Sequence, residues 1–410
     1  MSEMIEPNSV TPAPRWLNGN VWLISLSATF ADLGYQAVLA IFPLFLVKHL
    51  GAPIWLFGVS TAISYGPGAI WGYLGGRMGD RYGQKRVAIG GNLLIPLLSL
   101  SGLAALPFQA IGLFAGGWWA RNFRTAPRRS MLVESTQPEH RLGAFGFLHA
   151  LDIGGGFLAA VITAILVWQN VPFTIIFLLT IIPLLLSSLV LAFVRAGARG
   201  QSSKSSKIGV AKANEPTAMH ADHKSLYFRL LAATALYGFS AFDFGFPMLT
   251  VNQALNSNVL AVLAYVIFFG FSALTALALG RITRNSVRTL AVFGYLAGGI
   301  GCAGMAAVWG FHFNPMLFYP VIALMGLALG VIETIEPTIV SLLMPHGKSG
   351  GGMGALTAFR SIGLFLANIM MGLLYGVQDS WLLPYIYAGV VAAVAAFVLL
   401  SAPPLRHEAV

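Results

Sequence analysis

The sequence predicts an all-α, polytopic membrane protein, and three observations carry that prediction. Only 9% of the 410 residues are charged against 57% that are hydrophobic, and the mean hydropathy is +0.77. A soluble domain is charged over about a quarter of its length, so no soluble surface can be assembled from this composition. The apolar residues also fall in unbroken runs of about 20, the length that crosses hydrocarbon as a helix, without the alternation of a barrel strand. Inside lipid only helices and closed barrels satisfy every backbone group, which leaves a helical bundle.

Twelve runs qualify as spans, at about 18–46, 54–76, 87–106, 109–130, 143–168, 172–195, 226–250, 258–279, 289–309, 316–342, 350–376 and 381–402. The longer ones are expected to tilt or protrude. Pro43, Pro247 and Pro337 lie inside spans 1, 7 and 10 and predict kinks there. Glycines crowd spans 3, 5, 9 and 11; Gly154 to Gly156 and Gly298, Gly299 and Gly301 let helices approach closely.

Residues 196–225 are rich in Ser, Lys and Ala without apolar periodicity, and read as a linker dividing the chain into bundles at 1–195 and 226–410. Lys and Arg crowd one set of connections, from Arg77, Arg81, Lys85 and Arg86 through Arg128, Arg129 and Arg141 to Arg281, Arg284, Arg288 and Lys348. The other set holds Lys48 alone, an asymmetry that predicts both termini in the cytoplasm. The net charge of +10 is read as this topology signal and not as a nucleic-acid surface. Residues 1–15, with Glu3, Glu6 and prolines, do not read as a signal peptide. The single cysteine, Cys302, permits no intrachain disulfide.

The two bundles read as repeats. Asp32-Leu-Gly-Tyr35 echoes Asp243-Phe-Gly-Phe246 at an offset of 211, Leu148-His-Ala-Leu-Asp152 echoes Leu356-Thr-Ala-Phe-Arg360 at 208, and Gly76-Arg77 echoes Gly280-Arg281 at 204. Repeated membrane bundles place a substrate site at their interface, near the midplane.

Between spans 2 and 3 stands Gly76-Arg-Met-Gly-Asp-Arg-Tyr-Gly-Gln-Lys-Arg86, a short, basic, glycine-punctuated loop. Its spacing resembles the loop between the second and third helices of the major facilitator superfamily. Twelve spans, a central basic linker and the two-bundle pattern extend that resemblance over nearly the whole chain. It implies two pseudo-symmetric six-helix bundles and a gating motif at Gly76, Gly79, Asp80, Arg81, Gly83, Lys85 and Arg86. It further implies that Asp80 meets the start of span 11 near Gly350 to Gly352, while Arg81, Lys85 and Arg86 pair with acids or lipid phosphates, or serve topology alone. Gln84 stands where a basic residue is usual, the second copy Gly280-Arg-Ile-Thr-Arg284 lacks the acid, and the Gly-Pro motif of many drug antiporters is absent from span 5.

A charge at mid-membrane costs at least ~2.5–3.5 kcal/mol, so each one is a functional candidate. The chain places Asp32, Arg121, Asp152, Asp243, Glu333, Glu336 and Arg360 there, with Arg124 a turn beyond Arg121. Arg121, Arg124 and Arg128 share a helix face. The resemblance puts spans 1, 4, 7 and 10 around a central cavity, and with them Asp32, Arg121, Asp243 and Glu333. Carboxyl groups are the embedded groups able to gain and lose protons, so Asp32, Asp243, Glu333, Glu336 and Asp152 are the proton-coupling candidates. Guanidinium keeps its charge and binds oxyanions bidentately, so Arg121 and Arg124, with Tyr35, Trp118, Phe246 and Arg360, are the substrate-binding candidates. In the competing arrangement the charges neutralise one another, Arg121 with Asp152 and Arg360 with Glu333 or Glu336.

No P-loop, H-E-x-x-H or G-x-S-x-G motif is present, so neither a primary pump nor an enzyme is expected. No cofactor and no metal are expected either, since His220-x-x-His223 supplies too few ligands. The expectation is a monomeric secondary active transporter in a bacterial inner membrane, surrounded by lipid. It moves a small organic solute by alternating access, coupled to H⁺ as an antiporter, in the direction of export. The alternatives are an organic-anion uptake or exchange carrier using Arg121 and Arg124, and a non-transporting receptor or scaffold on the same fold.

Overall fold

A computed structural model describes residues 17–137, 140–195, 221–279, 287–343 and 349–402. Linker residues 196–220, with His220, and the second basic motif at 280–284 lie outside the described residues, as do Lys348 and the side chains of Arg141 and His223. The described residues form helices and short turns. Spans 1 to 6 are α1 (Gly19–Leu44), α2 (Ile54–Tyr65) with α3 (Gly68–Tyr82), α4 (Gln84–Leu94) with α5 (Leu97–Leu100), α6 (Pro107–Glu134), α7 (Arg141–Trp168), and α8 (Phe173–Leu179) with α9 (Ile181–Ala192). Spans 7 to 12 are α10 (Ala221–Ser240) with α11 (Gly245–Leu255), α12 (Asn258–Leu279), α13 (Val287–Thr289) with α14 (Ala297–Gly310), α15 (Phe318–Leu343), α16 (Ser349–Gln378) and α17 (Leu382–Leu400).

Every expected span thus coincides with helix, and nine described helices are long and apolar enough to cross a membrane. The other three have identifiable causes. The span α2–α3 is interrupted at Gly66–Pro67, α6 carries Arg121, Arg124, Arg128 and Arg129, and α10–α11 is interrupted at 241–244. Proline removes a backbone donor and crowds the carbonyl four residues earlier. Pro247 accordingly sits in the first turn of α11, and the helix opens ahead of it, at the carbonyl of Asp243. Pro43 acts more gently: the regular helix gives way to a wider turn at Phe45–His49. Pro337 is carried inside an unbroken α15.

The motif expected as a loop is mostly helical. Gly76 to Tyr82 belong to α3, Gln84 to Arg86 belong to α4, and Gly83 alone forms the turn. Its φ of +96° is open to glycine and strained for other residues. Asp80 is exposed and accepts a 2.8 Å bond from Gln84 Nε2. No bond from Asp80 to α16 occurs among the described residues.

Helix α1 packs on α7 and α10 on α16, while α2 against α16 and α7 against α12 join the first six spans to the last six. Two glycines set the spacing. A Cβ on Gly155 would lie 2.6 Å from the Thr29 carbonyl oxygen, and one on Gly58 would lie 2.4 Å from that of Asn368. At the end of the molecule away from the linker, one continuous apolar cluster takes side chains from both halves, with Phe42, Phe45 and Phe57 beside Phe246, Trp381 and Tyr385. Nearer the linker the core divides. Val21, Ile24, Leu132 and Leu191 belong to one cluster, and Leu230, Ile335, Ile339 and Leu399 to another. The halves are sealed at one end and separately packed at the other, and the charged residues lie where the core divides.

Candidate functional site

Three helices of the first half converge on a charged cluster. Helix α1 brings Asp32 (3% exposed), α7 brings Asp152, and α6 brings Arg121, Arg124 and Arg128 from one face. The absence of a side chain at Gly155 draws α7 against Asp32, whose Cβ would lie 3.3 Å from an added methyl. Asp32 and Asp152 are neighbours in this cluster, and Asp152 Oδ1 is buried without a hydrogen-bond partner among the described residues. Arg128 Nη2 stands 3.5 Å from Asp152 Oδ2. The expected pairing of Asp152 with Arg121 is therefore not made. Arg121 instead donates to Tyr35 Oη at 3.0 Å, its guanidinium 4.5 Å from the Tyr35 ring centre and 4.6 Å from that of Trp118. That position, a turn and more along α6, takes Arg121 past Asp152 towards the aromatic wall.

The second half builds a different cluster. Arg360 of α16 bonds both Glu333 and Glu336 of α15, choosing neither of the two alternatives over the other. Glu336 is fully buried and also accepts from Tyr295 Oη and, at 3.4 Å, from Thr234 Oγ1. Tyr237 stacks on Tyr295 at 4.5 Å. Glu333 is 46% exposed.

Between the clusters lies the break in span 7. Asp243 Oδ1 accepts the Gly245 N–H at 2.7 Å in a local turn just ahead of α11, and the Asp243 N–H donates to Asn368 Oδ1 at 2.9 Å. Its other oxygen accepts a 2.6 Å bond from Tyr65 Oη, on α2 of the opposite half. Tyr65 in turn meets the edge of Trp118 at 4.8 Å. A second bond across the halves joins two neutral groups, Tyr265 Oη donating to Gln36 Oε1 at 2.8 Å.

Among the substrate-binding candidates, Arg121, Arg124, Tyr35 and Trp118 come together, and Arg360 belongs to the second-half cluster. Phe246 does not join them. It is fully buried against Phe57, 5.0 Å away, and Trp381, 6.1 Å away, in the sealed end. Repeat symmetry with Tyr35 misplaced it, because the break at 241–244 redirects the chain after Asp243. Sequence reasoning missed Tyr65, Tyr295, Thr234 and Asn368. Asn368, a lone amide in an apolar run, was the one with a visible signal.

A family model described as Major Facilitator Superfamily matches residues 24–368 and 230–410. No curated protein sequence matches the chain. Among solved structures, the chain is similar to a D-xylose-proton symporter at a TM-score of 0.76 and 14% identity, over 94% of this chain and 98% of that one. It is similar to the inward-open xylose transporter XylE from E. coli at a TM-score of 0.70 and 15% identity, over 95% and 98%. The nucleoside transporter NupG gives a TM-score of 0.70 at 13% identity, over 93% and 99%.

Proposed function

The chain belongs to the major facilitator superfamily, and from that premise we propose that it is a proton-coupled transporter moving a small organic solute by alternating access. The observation that carries this reading is the Tyr65–Asp243 bond. It joins the two halves through a group that can gain or lose a proton, at the point where span 7 is broken. A hydrogen bond to a charged acceptor is worth more than one to a neutral acceptor. A proton arriving on Asp243 therefore changes the hold between the halves, which is what coupling requires. The half-helix terminus at α11 supports the same reading, since broken helices build transporter sites. The proton-coupled neighbour in the fold comparison is consistent with it. Export from a bacterial cytoplasm by a monomer completes the proposal, with both termini inside as the basic connections indicate.

The test is flux in proteoliposomes under an imposed pH gradient, scanned across solute classes. Asp243→Asn is expected to abolish gradient-driven accumulation while leaving solute exchange. Full gradient-driven flux in that variant ends the assignment. Solute movement against the proton flow marks an antiporter, and movement with it a symporter.

A further inference from the structure

This inference rests on the transporter reading and names its cargo. Each guanidinium offers five N–H donors and keeps its charge. In the first-half cluster, Arg121 Nε, Arg124 Nε and Nη1, and Arg128 Nε and Nη1 are buried with no acceptor among the described residues. Arg124 is 1% exposed and Arg128 5%. The carboxyl groups facing these three cations are Asp32 and Asp152. Even fully ionised, the two carboxylates leave one of the three positive charges uncancelled. The nearest contact, Arg128 to Asp152, is long at 3.5 Å. In the second half, by contrast, Arg360 bonds two carboxylates and Glu336 receives Tyr295 and Thr234 besides.

A buried cation without its partner is among the costliest arrangements a protein interior holds. Here the vacant donors belong to planar forks, and the group that satisfies such forks is an oxyanion bound bidentately. The cluster lies beside the division between the halves, where a solute passes. We propose that the transported solute carries an oxyanion group, a carboxylate or a phosphate ester, and that Arg124 and Arg128 bind it, with Arg121 held beside them by Tyr35 and Trp118.

The test is thermal unfolding of the purified full-length protein at constant ionic strength, with benzoate, phenyl phosphate, benzamide or benzylammonium added. At least one of the two oxyanions is expected to raise the unfolding temperature, and neither benzamide nor benzylammonium is. In Arg124→Gln the apparent affinity for that oxyanion should fall about tenfold or more. Arg124→Lys, which keeps the charge but loses the fork, should fall between. Gel filtration confirms that each variant is folded, and Arg128→Lys gives a second reading if Arg124→Gln is not. Failure of both oxyanions, stabilisation by benzylammonium, or an unchanged response in the folded variants overturns the proposal. An anionic lipid headgroup offers the same chemistry. Arg124-dependent stabilisation seen in phosphatidate nanodiscs but with neither soluble oxyanion would also overturn it. Gradient-driven flux of a cationic solute alone would remove the cargo class and leave proton coupling standing. Undiminished gradient-driven flux in Asp243→Asn would do the reverse.

Discussion

The two charged clusters occupy matching places in the two halves with their signs exchanged. Arg128 on α6 and Asp152 on α7 precede Glu336 on α15 and Arg360 on α16 by the same 208 residues. One scaffold position thus carries an ion pair twice, but the pairs are built differently. In the second half the buried acid is saturated by an arginine, a tyrosine and a threonine. In the first, the buried bases keep unsatisfied donors and meet their acid at 3.5 Å. A saturated network holds its geometry because every rearrangement leaves some member unpaired. An unsaturated one is free to accept another partner. The second half is read from this as the fixed side of the division between the halves and the first as its binding side.

The sharpest way to break that contrast is to remove the centre of the saturated cluster. Glu336→Ala leaves Arg360 with Glu333 alone and leaves the Tyr295 hydroxyl with Thr234 as its remaining partner. Breaking a buried pair in this way costs about 3–5 kcal/mol. Thermal unfolding of the purified variant should show a large loss, and a loss below about 1 kcal/mol would show that the second-half cluster is not the rigid one.

How far this contrast could be read beforehand differs between fold and site. The spans were legible because about 20 apolar residues have one use in a chain of this composition. The interruption of span 7 was legible only as a kink at Pro247, since it is also shaped by the Asp243 side chain accepting the Gly245 N–H, a bond that hydropathy does not register. The buried charges announced themselves by their cost. Their partners did not: whether Asp152 meets Arg121 or Arg128 depends on the rotation of α6 against α7, which the residue pattern of neither helix states. Tyr65 was invisible because its meaning comes from a residue 178 positions away in the other half.

The unsaturated cluster makes the opposite prediction. Arg128→Met removes a cation from a site that has one too many and replaces it with a flexible apolar chain of similar length. The expected loss is smaller than that of Glu336→Ala, since Arg121 and Arg124 remain as cations near Asp152 and removing one of three like charges relieves their mutual repulsion. A double-mutant cycle with Asp152→Asn should give a coupling smaller than the cycle joining Glu336 to Arg360. Equal couplings would mean that the long 3.5 Å contact understates the first-half pair, and the two clusters would then differ in sign alone.

The smallest effect is expected inside the saturated cluster itself, at Glu333. It shares Arg360 with Glu336, yet it is 46% exposed where Glu336 is fully buried. An ion pair open to water yields roughly 0–1 kcal/mol, because solvent screens the attraction and ordering the side chains offsets it. Glu333→Gln should therefore shift unfolding by no more than about 0.5 kcal/mol, although the residue lies three positions from the most sensitive one. The altered glutamine also retains an acceptor for Arg360, so no donor is stranded. A loss comparable to that of Glu336→Ala would show the two glutamates and Arg360 acting as one triad, with the rigid wall extending out to the exposed Glu333.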